Sequence, residues 1–444
     1  MNTSDLSGRA RAMRGFAWLL LSIAGVARAD VAEPAYATHG DAALAALIEE
    51  SLRKNPGLRR ARLDSEAERY RIAQVTARPD PKLGITWHGR KPETRTGPQT
   101  GTLSVSQEFP WPGKLADRGR IAAAVAEARH EAARAGEARV VLRVKASYYD
   151  LGYLDRAIAV VDEEEQLLRH YESLAQARYA QGLGPQQAAV RLQAEITRVL
   201  NRRYELVRRR LEVIATLNAL RDSPAGAPVT VSPVPEPPEV RIDGVRLQSI
   251  GRNLRPEVRA ARLLVESDRD RVRLAERRYW PDIVLGASWG RVAGRRDMAG
   301  RSAPPPDNGK DVYSLNVGVN IPIYRARYDA AVDEANARLE GARANHRDAV
   351  IEVDLAVRAA ELRLAMVDEQ MALFETALVP QAEQALSLAE TAYSTGTAAI
   401  VDLLDSEQVL FEVRLGLARL RSDYMKALAE MEWAIGSPFP EEPS

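Results

Sequence analysis

Two aspartates are the clearest candidates for a chemical role in this sequence of 444 residues. Asp402 and Asp405 are three residues apart in a segment with helical periodicity, so their carboxylates lie on one face of a helix. Such a pair could line an opening that favours cations. It could equally belong to a solvated helix face, because acidic pairs at this spacing are common. The sequence pattern by itself leaves both interpretations open.

No other set of residues predicts an enzyme or a metal site. The chain has no cysteine, and none of its five histidines is at metal-ligand spacing from another. We find no phosphate loop, nucleophile elbow or plausible triad, so we expect no catalytic residue, no cofactor and no metal. The net charge is +1, with arginines balanced by acidic residues, which argues against nucleic acid as a partner.

The elements that would hold the two aspartates occur twice along the chain. Residues 56–87 are similar to residues 256–289, with matching Ala-Arg-Leu and Pro-Asp segments. A period of about 200 residues is too long for a solenoid and predicts an internally duplicated fold. We assign a first repeat to residues 30–222 and a second to residues 245–436, joined by a proline-rich linker at 223–244.

The two ends of the chain are set apart from the repeats. Residues 1–29 have a positively charged start, an apolar stretch of eleven residues and a small-x-small cleavage site, which together predict a signal peptide. Eleven apolar residues are too few for a membrane-spanning helix, which needs about 20. Residues 437–444 are assigned to a C-terminal tail.

Each repeat is predicted to contain a leading helix, a β-hairpin and a long helical hairpin. The leading helices are predicted at about 41–77 and 245–279, the β-hairpins at 83–109 and 283–321, and the helical hairpins at 115–221 and 328–435. The first helix of each long hairpin runs for about 67 residues with coiled-coil periodicity, a length of about 100 Å. Pro380 should kink the second of these helices or mark the join of two stacked helices.

The predicted strands alternate between apolar and polar residues, as lipid-facing barrel strands do. A half-buried strand in a soluble sandwich alternates in the same way. The placement of tryptophan favours the membrane, because an aromatic girdle would lie at the ends of such strands. Four tryptophans lie in or beside the hairpins: Trp87, Trp111, Trp280 and Trp289.

Four strands are too few to form a membrane barrel alone. A sheet in lipid must close, because an open edge leaves backbone groups without hydrogen-bond partners. Two copies would give eight strands, whose interior fills with side chains, whereas three copies give twelve strands and begin to leave a lumen. We therefore predict a mostly α-helical homotrimer, with a shared twelve-stranded barrel and a long α-helical barrel extending away from it.

Three segments resemble the outer membrane factor, or TolC-like, family of tripartite efflux and secretion systems. The sequence SQEFPWPGK at 106–114 is similar to the strand-to-helix passage of members that work with heavy-metal pumps, and NIPI at 320–323 is similar to its counterpart. YSTGTAAIVDLLD at 393–405 is similar to the family's tip and the helix after it. The resemblance extends over essentially the whole mature chain.

The resemblance implies a homotrimer in outer-membrane lipid with its helical barrel in the periplasm. Its partners would be a periplasmic adaptor and an inner-membrane pump of the RND type. It assigns Asp402 and Asp405 to the periplasmic aperture. It also implies adaptor contacts at the two helical tips, which comprise Gly182, Gly184, Pro185, Gly396 and Thr397. This chain departs from the family in lacking the cysteine that anchors lipid and in having Ala398 where an arginine is common.

The predicted function is therefore an exit duct for metal cations or small toxic compounds. One alternative keeps the fold but makes the chain the outer-membrane duct of a type I protein secretion system. A second alternative is a secreted coiled-coil scaffold in which the hairpins form a small soluble sheet. The sequence does not distinguish the two kinds of duct, because a duct carries whatever its inner-membrane partner supplies.

Overall fold

The computed structural model describes residues 36–38, 40–238, 240 and 242–439. The predicted signal peptide lies outside these residues, as do residues 440–444 of the predicted tail. The helices are α1 (Ala42–Lys54), α2 (Pro56–Thr76), α3 (Lys114–Ala180), α4 (Gln186–Leu220), α5 (Gly244–Leu254), α6 (Pro256–Arg277), α7 (Met298–Ser302), α8 (Arg325–Leu373), α9 (Val379–Thr395) and α10 (Ile400–Ile435). The strands are β1 (Lys82–Trp87), β2 (Glu93–Thr94), β3 (Gly97–Phe109), β4 (Ile283–Val292) and β5 (Val312–Val319).

The prediction of one leading helix in each repeat was wrong, because the structure has two. α1 ends before Asn55 and α2 begins at Pro56, while α5 ends before Arg255 and α6 begins at Pro256. A proline disfavours helical backbone at the residue before it, and Asn55 and Arg255 have extended ψ values of 118° and 124°. Proline is well tolerated in the first turn of the helix that follows.

Helix α3 contains 67 residues, which corresponds to about 100 Å, close to the predicted bounds. It has no internal proline, and its buried residues recur at intervals of three and four. Val144, Tyr148, Leu151 and Leu154 are all at most 4% exposed and form part of this seam. Among the described residues, no helix is long and apolar enough to cross a membrane.

The second long helix changes its winding just before Pro380. α8 ends at Leu373, a π-helical turn spans Phe374–Leu378, and α9 follows with Pro380 in its first turn. Proline cannot donate a backbone hydrogen bond, and the π turn accommodates the missing bond without ending the helix. The helix therefore continues past Pro380 with a local change of winding, and the predicted join of two stacked helices was wrong.

The long helices pack side by side in a fixed order. α4 packs against α3, α3 against α10, and α10 against α8 and α9. Ion pairs reinforce the contact between α4 and α3: Arg202–Glu164, Arg203–Asp162 and Arg210–Asp155. The first helical hairpin therefore meets the second through α3 and α10, which leaves α4 at one side of the layer and α8 with α9 at the other.

The segment predicted as a linker is extended, as expected, but it packs on the helical core. Val229 is 7% exposed and belongs to a core that includes Tyr148. The Tyr148 hydroxyl donates to Asp41 Oδ2 at 2.6 Å and accepts from the Ser232 backbone N–H at 2.8 Å. This hydrogen bonding holds the segment against α3 near the start of α1.

The strands form one antiparallel sheet in the order β1–β3–β4–β5, and the short β2 pairs with one end of β3. The contact between β3 and β4 joins the two predicted β-hairpins directly. Within the described residues, β1 pairs only with β3 and β5 pairs only with β4, so each has one side without a partner strand. The mostly helical fold with a small antiparallel sheet is confirmed.

We expect Gly251→Ala to destabilise the protein, because α5 approaches two other helices closely at Gly251. A Cβ atom there would lie 2.7 Å from Val353 Cγ1 and 3.0 Å from the Ala434 carbonyl oxygen. Such overpacking costs about 1–3 kcal/mol and should lower the thermal unfolding midpoint in detergent.

Gly341→Ala provides the matched control, since nothing lies within 4 Å of a Cβ atom at this position of α8. It should leave the midpoint unchanged or raise it slightly, because alanine is the better helix former by about 1 kcal/mol. Equal midpoints for the two variants would contradict the close packing of α5.

Candidate functional site

Asp402 and Asp405 lie in the first two turns of α10, on its exposed side. Asp402 Oδ2 accepts a hydrogen bond from the Ala399 backbone N–H at 3.0 Å. Asp402 therefore stabilises the start of α10, where a negative charge also interacts favourably with the helix dipole. The intervening Leu403 is 0% exposed and points into the helical core. The two carboxylates thus share the face that leads away from the protomer.

Both helical tips turn at a glycine with left-handed backbone. Gly182 has φ of +73° and Gly396 has φ of +80°. At the first tip the Leu183 N–H donates to the Arg178 carbonyl at 2.9 Å. At the second tip the Thr397 N–H donates to the Ala392 carbonyl, also at 2.9 Å. These are the bonds of a Schellman motif, which explains why glycine occupies the turn at each tip.

Arg178 connects the two tips, a role that the sequence analysis missed. Its Nη1 atom donates to the backbone carbonyls of Tyr393 at 2.5 Å and Ser394 at 3.1 Å. Its guanidinium also lies 5.2 Å from the centre of the Tyr393 ring. The Tyr393 and Ser394 carbonyls, near the end of α9, therefore receive hydrogen bonds from the end of α3 as well as from within the tip. A basic residue in the last turn of α3 was the available signal, but its partner in α9 was not apparent from sequence.

A groove with a volume of about 320 Å³ separates the tips. Its walls include Pro185 and Arg191 from the first tip, and Ala398 and Val401 from the second. The predicted tip residues Gly184 and Gly396 also line this groove. Thr397 lies in the turn itself, where its hydroxyl donates to the Ala392 carbonyl at 3.1 Å. The structure thus brings the two predicted tips together within one chain.

Most apolar residues of the four main strands lie on one side of the sheet, although Val284 and Val312 lie on the other. The strand register places Leu83 opposite Val105, Val105 opposite Ala287, and Ala287 opposite Leu315. Much of this face is open: Ile85 is 78% exposed, Leu315 is 88% exposed and Val317 is 75% exposed. Serine, glycine and asparagine dominate the other side. A sandwich would cover such a face with a second layer, so the structure favours the membrane interpretation.

The four tryptophans lie at two levels of the sheet. Trp87 is the last residue of β1, and Trp289 is near the end of β4, so both lie toward the hairpin loops. Trp111 and Trp280 lie at the opposite end, where the strands meet the helices, and their rings stack with centroids 5.0 Å apart. Aromatic residues at two levels are typical of strands that cross a bilayer, where they lie at the interfaces.

A buried ion pair fixes the junction between the sheet and the helices. Lys114 Nζ, at the start of α3, is 2.8 Å from Asp282 Oδ1 and donates to the Trp280 carbonyl, also at 2.8 Å. The Trp111 backbone N–H donates to the same Asp282 oxygen at 2.7 Å. These contacts tie the two strand-to-helix passages of one chain together. The sequence contained both charges but gave no indication that they pair.

Among the described residues, no group of three or more histidine, cysteine, aspartate or glutamate side chains is arranged to hold a metal ion.

An exposed apolar sheet face joined to helices about 100 Å long is the architecture of an outer-membrane channel protomer. The chain belongs to the outer membrane efflux protein family, whose sequence model matches residues 47–224 and 249–437. Membership of this family confirms the predicted assignment to the outer membrane. The function of the chain is that of an outer-membrane efflux channel.

Individual relatives agree with this assignment. Nodulation protein T of Rhizobium leguminosarum bv. trifolii is 24% identical over 419 residues, which are 90% of this chain and 86% of that protein. The outer membrane protein TolC of Vibrio cholerae is 25% identical over 181 residues, 40% of each chain. The solved structure of the outer membrane protein VceC from Vibrio cholerae is similar in fold, with a TM-score of 0.74 and 21% identity. The similarity covers 90% of this chain and 97% of that one.

We expect Arg178→Ala to loosen the second tip, because the Tyr393 and Ser394 carbonyls then lose a charged donor. Amide hydrogen exchange at residues 392–398 should become roughly tenfold faster, as expected for the loss of about 1.5 kcal/mol or more of charged hydrogen bonding. Arg191→Ala is the matched control, since Arg191 lines the same groove but has no hydrogen bond or ion pair within the described residues. Unchanged exchange in Arg178→Ala would contradict the connection between the tips.

Proposed function

We propose that three copies of this chain form the outer-membrane exit duct of a tripartite efflux system. One observation supports the proposal most strongly. In both the sheet and the helical layer, one side of the protomer is formed by the first repeat and the other side by the second. The sheet runs from β1, in the first repeat, to β5, in the second. The helical layer runs from α4, in the first repeat, to α8 and α9, in the second. Side-by-side association of identical copies therefore joins both layers in the same direction.

The two free edges of the sheet are the physical reason for copies of the chain to associate. In lipid, the free sides of β1 and β5 would leave their backbone N–H and carbonyl groups without hydrogen-bond partners. Pairing β5 of one copy with β1 of the next removes both free edges. Such a head-to-tail contact forms a ring when the rotation between copies closes, as a sheet in lipid requires. Three copies give twelve strands, enough to begin to leave a lumen.

The helices carry apolar residues on the same two sides. On α4, Val190, Tyr204 and Leu211 are spaced by multiples of seven and are at least 57% exposed. The exposed apolar residues of α8 also share a face: Ile351, Leu355, Leu362, Met366 and Leu373. A monomer that left both stripes in water would be unusual. Contact between α4 of one copy and the second helical hairpin of the next would cover them, in a helical barrel that extends into the periplasm.

The proposed aperture lies at the start of α10. Three copies of Asp402 and Asp405 would bring six carboxylates around one axis, which favours cations and resists closure through like-charge repulsion. We propose metal cations or small toxic compounds as substrates, selected by an inner-membrane pump of the RND type. The similarity of residues 106–114 to members that work with heavy-metal pumps supports the metal cations.

We expect the reconstituted protein to conduct ions across a planar lipid bilayer with a preference for cations. Replacing both aspartates by asparagine (Asp402→Asn with Asp405→Asn) should reduce the cation-to-anion permeability ratio several-fold, because the ring loses its charge. Asparagine still accepts the capping hydrogen bond at Asp402, so the helix start is preserved. Asp368→Asn, an exposed aspartate on α8, is the matched control.

The two possible failures of this experiment have different meanings. An absence of conductance in the wild-type protein would contradict the duct. Conductance with an unchanged permeability ratio in the double variant would contradict the aperture role alone.

The tips are the proposed contact with the periplasmic adaptor, because their turns and the groove between them are open to solvent. We expect Leu183→Glu to reduce co-purification of the adaptor at least tenfold, since Leu183 is 64% exposed between Gly182 and Gly184. The substitution leaves the glycine turn intact. Val245→Glu, at an 80% exposed position on α5, is the control and should retain the adaptor. Normal adaptor recovery with Leu183→Glu would contradict the contact.

A further inference from the structure

Two glutamates occupy apolar positions in the seam between α10 and the first helical hairpin. Along α10, Ile400, Leu403, Glu407 and Leu410 follow each other at intervals of three, four and three residues. All four are buried, and Glu407 is 1% exposed. The heptad pattern therefore points the Glu407 side chain into the helical core rather than toward water.

The facing helix α3 repeats this pattern. Its buried residues Val161, Glu164 and Leu168 are three and four residues apart, and Glu164 is 2% exposed. The carboxyls of Glu164 and Glu407 interact electrostatically across the seam. Two acidic residues thus occupy apolar positions in a core that otherwise consists of leucine, valine, isoleucine, alanine and tyrosine.

The charged groups around Glu407 come from several helices. α4 contributes Arg202 and Glu195, and α10 itself contributes Glu412, which is exposed and bonded to Gln408. Arg202 Nη1 contacts both carboxylate oxygens of Glu164, at 3.2 Å and 3.1 Å. Glu195 pairs with Arg198 at 2.6 Å.

One further group on α3 faces Glu407. Tyr171 hydrogen-bonds to Glu390 of α9, so burial and Glu390 raise the pKa of its hydroxyl and keep it neutral. It therefore adds no positive charge to the seam.

These contacts leave Glu407 without a neutralising partner. Its Oε1 atom is buried and accepts no hydrogen bond from the described residues. The single guanidinium at this level is engaged by Glu164. An isolated buried carboxylate is costly, so the group keeps its proton instead. Burial, followed by repulsion from Glu164 and Glu195, raises the pKa of Glu407 from 4.5 to about 8.

We propose that Glu407 is a buried proton-binding site that holds α10 against the first helical hairpin while it is protonated. Loss of the proton leaves a second negative charge beside Glu164, with only the Arg202 guanidinium to balance the two carboxylates, which favours separation of α10 from α3 and α4. The site consists of groups within one protomer. Since α10 begins with Asp402 and Asp405, the seam also anchors the aperture, a step that rests on the proposed function.

The direction of the pH effect follows from the two protonation states. A glutamate in the opened seam releases its proton near pH 4.5, whereas Glu407 in the closed seam keeps it until about pH 8. The closed seam therefore binds one more proton between these values, and its stability falls as pH rises through this window. Above about pH 8 both states are ionised, and the dependence ends.

Hydrogen exchange of purified protein tests the proposal directly. After correction for the base-catalysed intrinsic rate, the opening of amides 403–411 in the wild type should increase by roughly tenfold to a hundredfold between about pH 6 and about pH 9. Glu407→Gln has the same shape and cannot ionise, so its opening should lose most of the pH dependence. Burial also raises the pKa of Glu164, which accounts for the remainder. Glu407→Met should behave in the same way and serves if the glutamine variant does not fold. Glu369→Gln, the same change at an exposed position of α8, should retain the wild-type dependence.

Infrared difference spectra of the same samples provide a second readout. The wild type should lose a protonated carboxyl band as pH rises through about 8, and Glu407→Gln should lack this band. A flat exchange profile in the wild type, or an unchanged pH dependence in Glu407→Gln, would overturn the proposal. Neither measurement requires a conducting channel, so its failure is separate from that of the proposed duct.

Discussion

The hydrogen-bonding requirement of a strand edge in lipid governs how this protein must assemble. Every backbone N–H and carbonyl group in the hydrocarbon layer needs a partner within the protein. The sheet has an apolar face that is largely exposed, and the free sides of β1 and β5 have no partner strand within the described residues. A single copy therefore leaves the sheet edges without hydrogen-bond partners and the apolar stripes of α4 and α8 without packing partners. The proposed trimer supplies both.

The order of the helices matches the order of the strands. Lys114 and Asp282 hold the two strand-to-helix passages together, so the order of the helices is tied to the order of the strands. Directly below this junction α6 packs between α3 and α8. Farther from the sheet α10 lies between α3 and α8, and α4 and α8 remain at the sides. The same rotation between copies then pairs strands in the sheet and covers apolar stripes on the helices. If only the sheet or only the helical layer ended in complementary surfaces, fewer contacts would stabilise a closed ring.

Much of this architecture could be predicted from the sequence, because its signals are local. Alternation of period two predicted the apolar side of each strand, and glycine predicted the ends of α3 and α9. The helix breaks before Pro56 and Pro256 were missed, although each proline was visible, because the periodic pattern continued through them. The pairing of β3 with β4, the contact of Arg178 with α9, and the burial of Glu407 against Glu164 depend on residues more than 150 positions apart. No local pattern specifies such contacts.

Disulfide cross-linking between β1 and β5 tests the central claim most directly, because the native chain has no cysteine. Thr86→Cys and Ser314→Cys place thiols on the polar side of the two edge strands. Within one chain, β3 and β4 separate these positions by about 14 Å, beyond the reach of a disulfide. If copies associate through the sheet edges, a protein that carries both substitutions should form disulfide-linked species of two and three chains on oxidation. The same result is expected when Thr86→Cys is combined with Asn316→Cys, which tests the neighbouring register. Each single variant should lack the three-chain species. Recovery of only uncross-linked monomers from the membrane, at every register tested, would contradict the account.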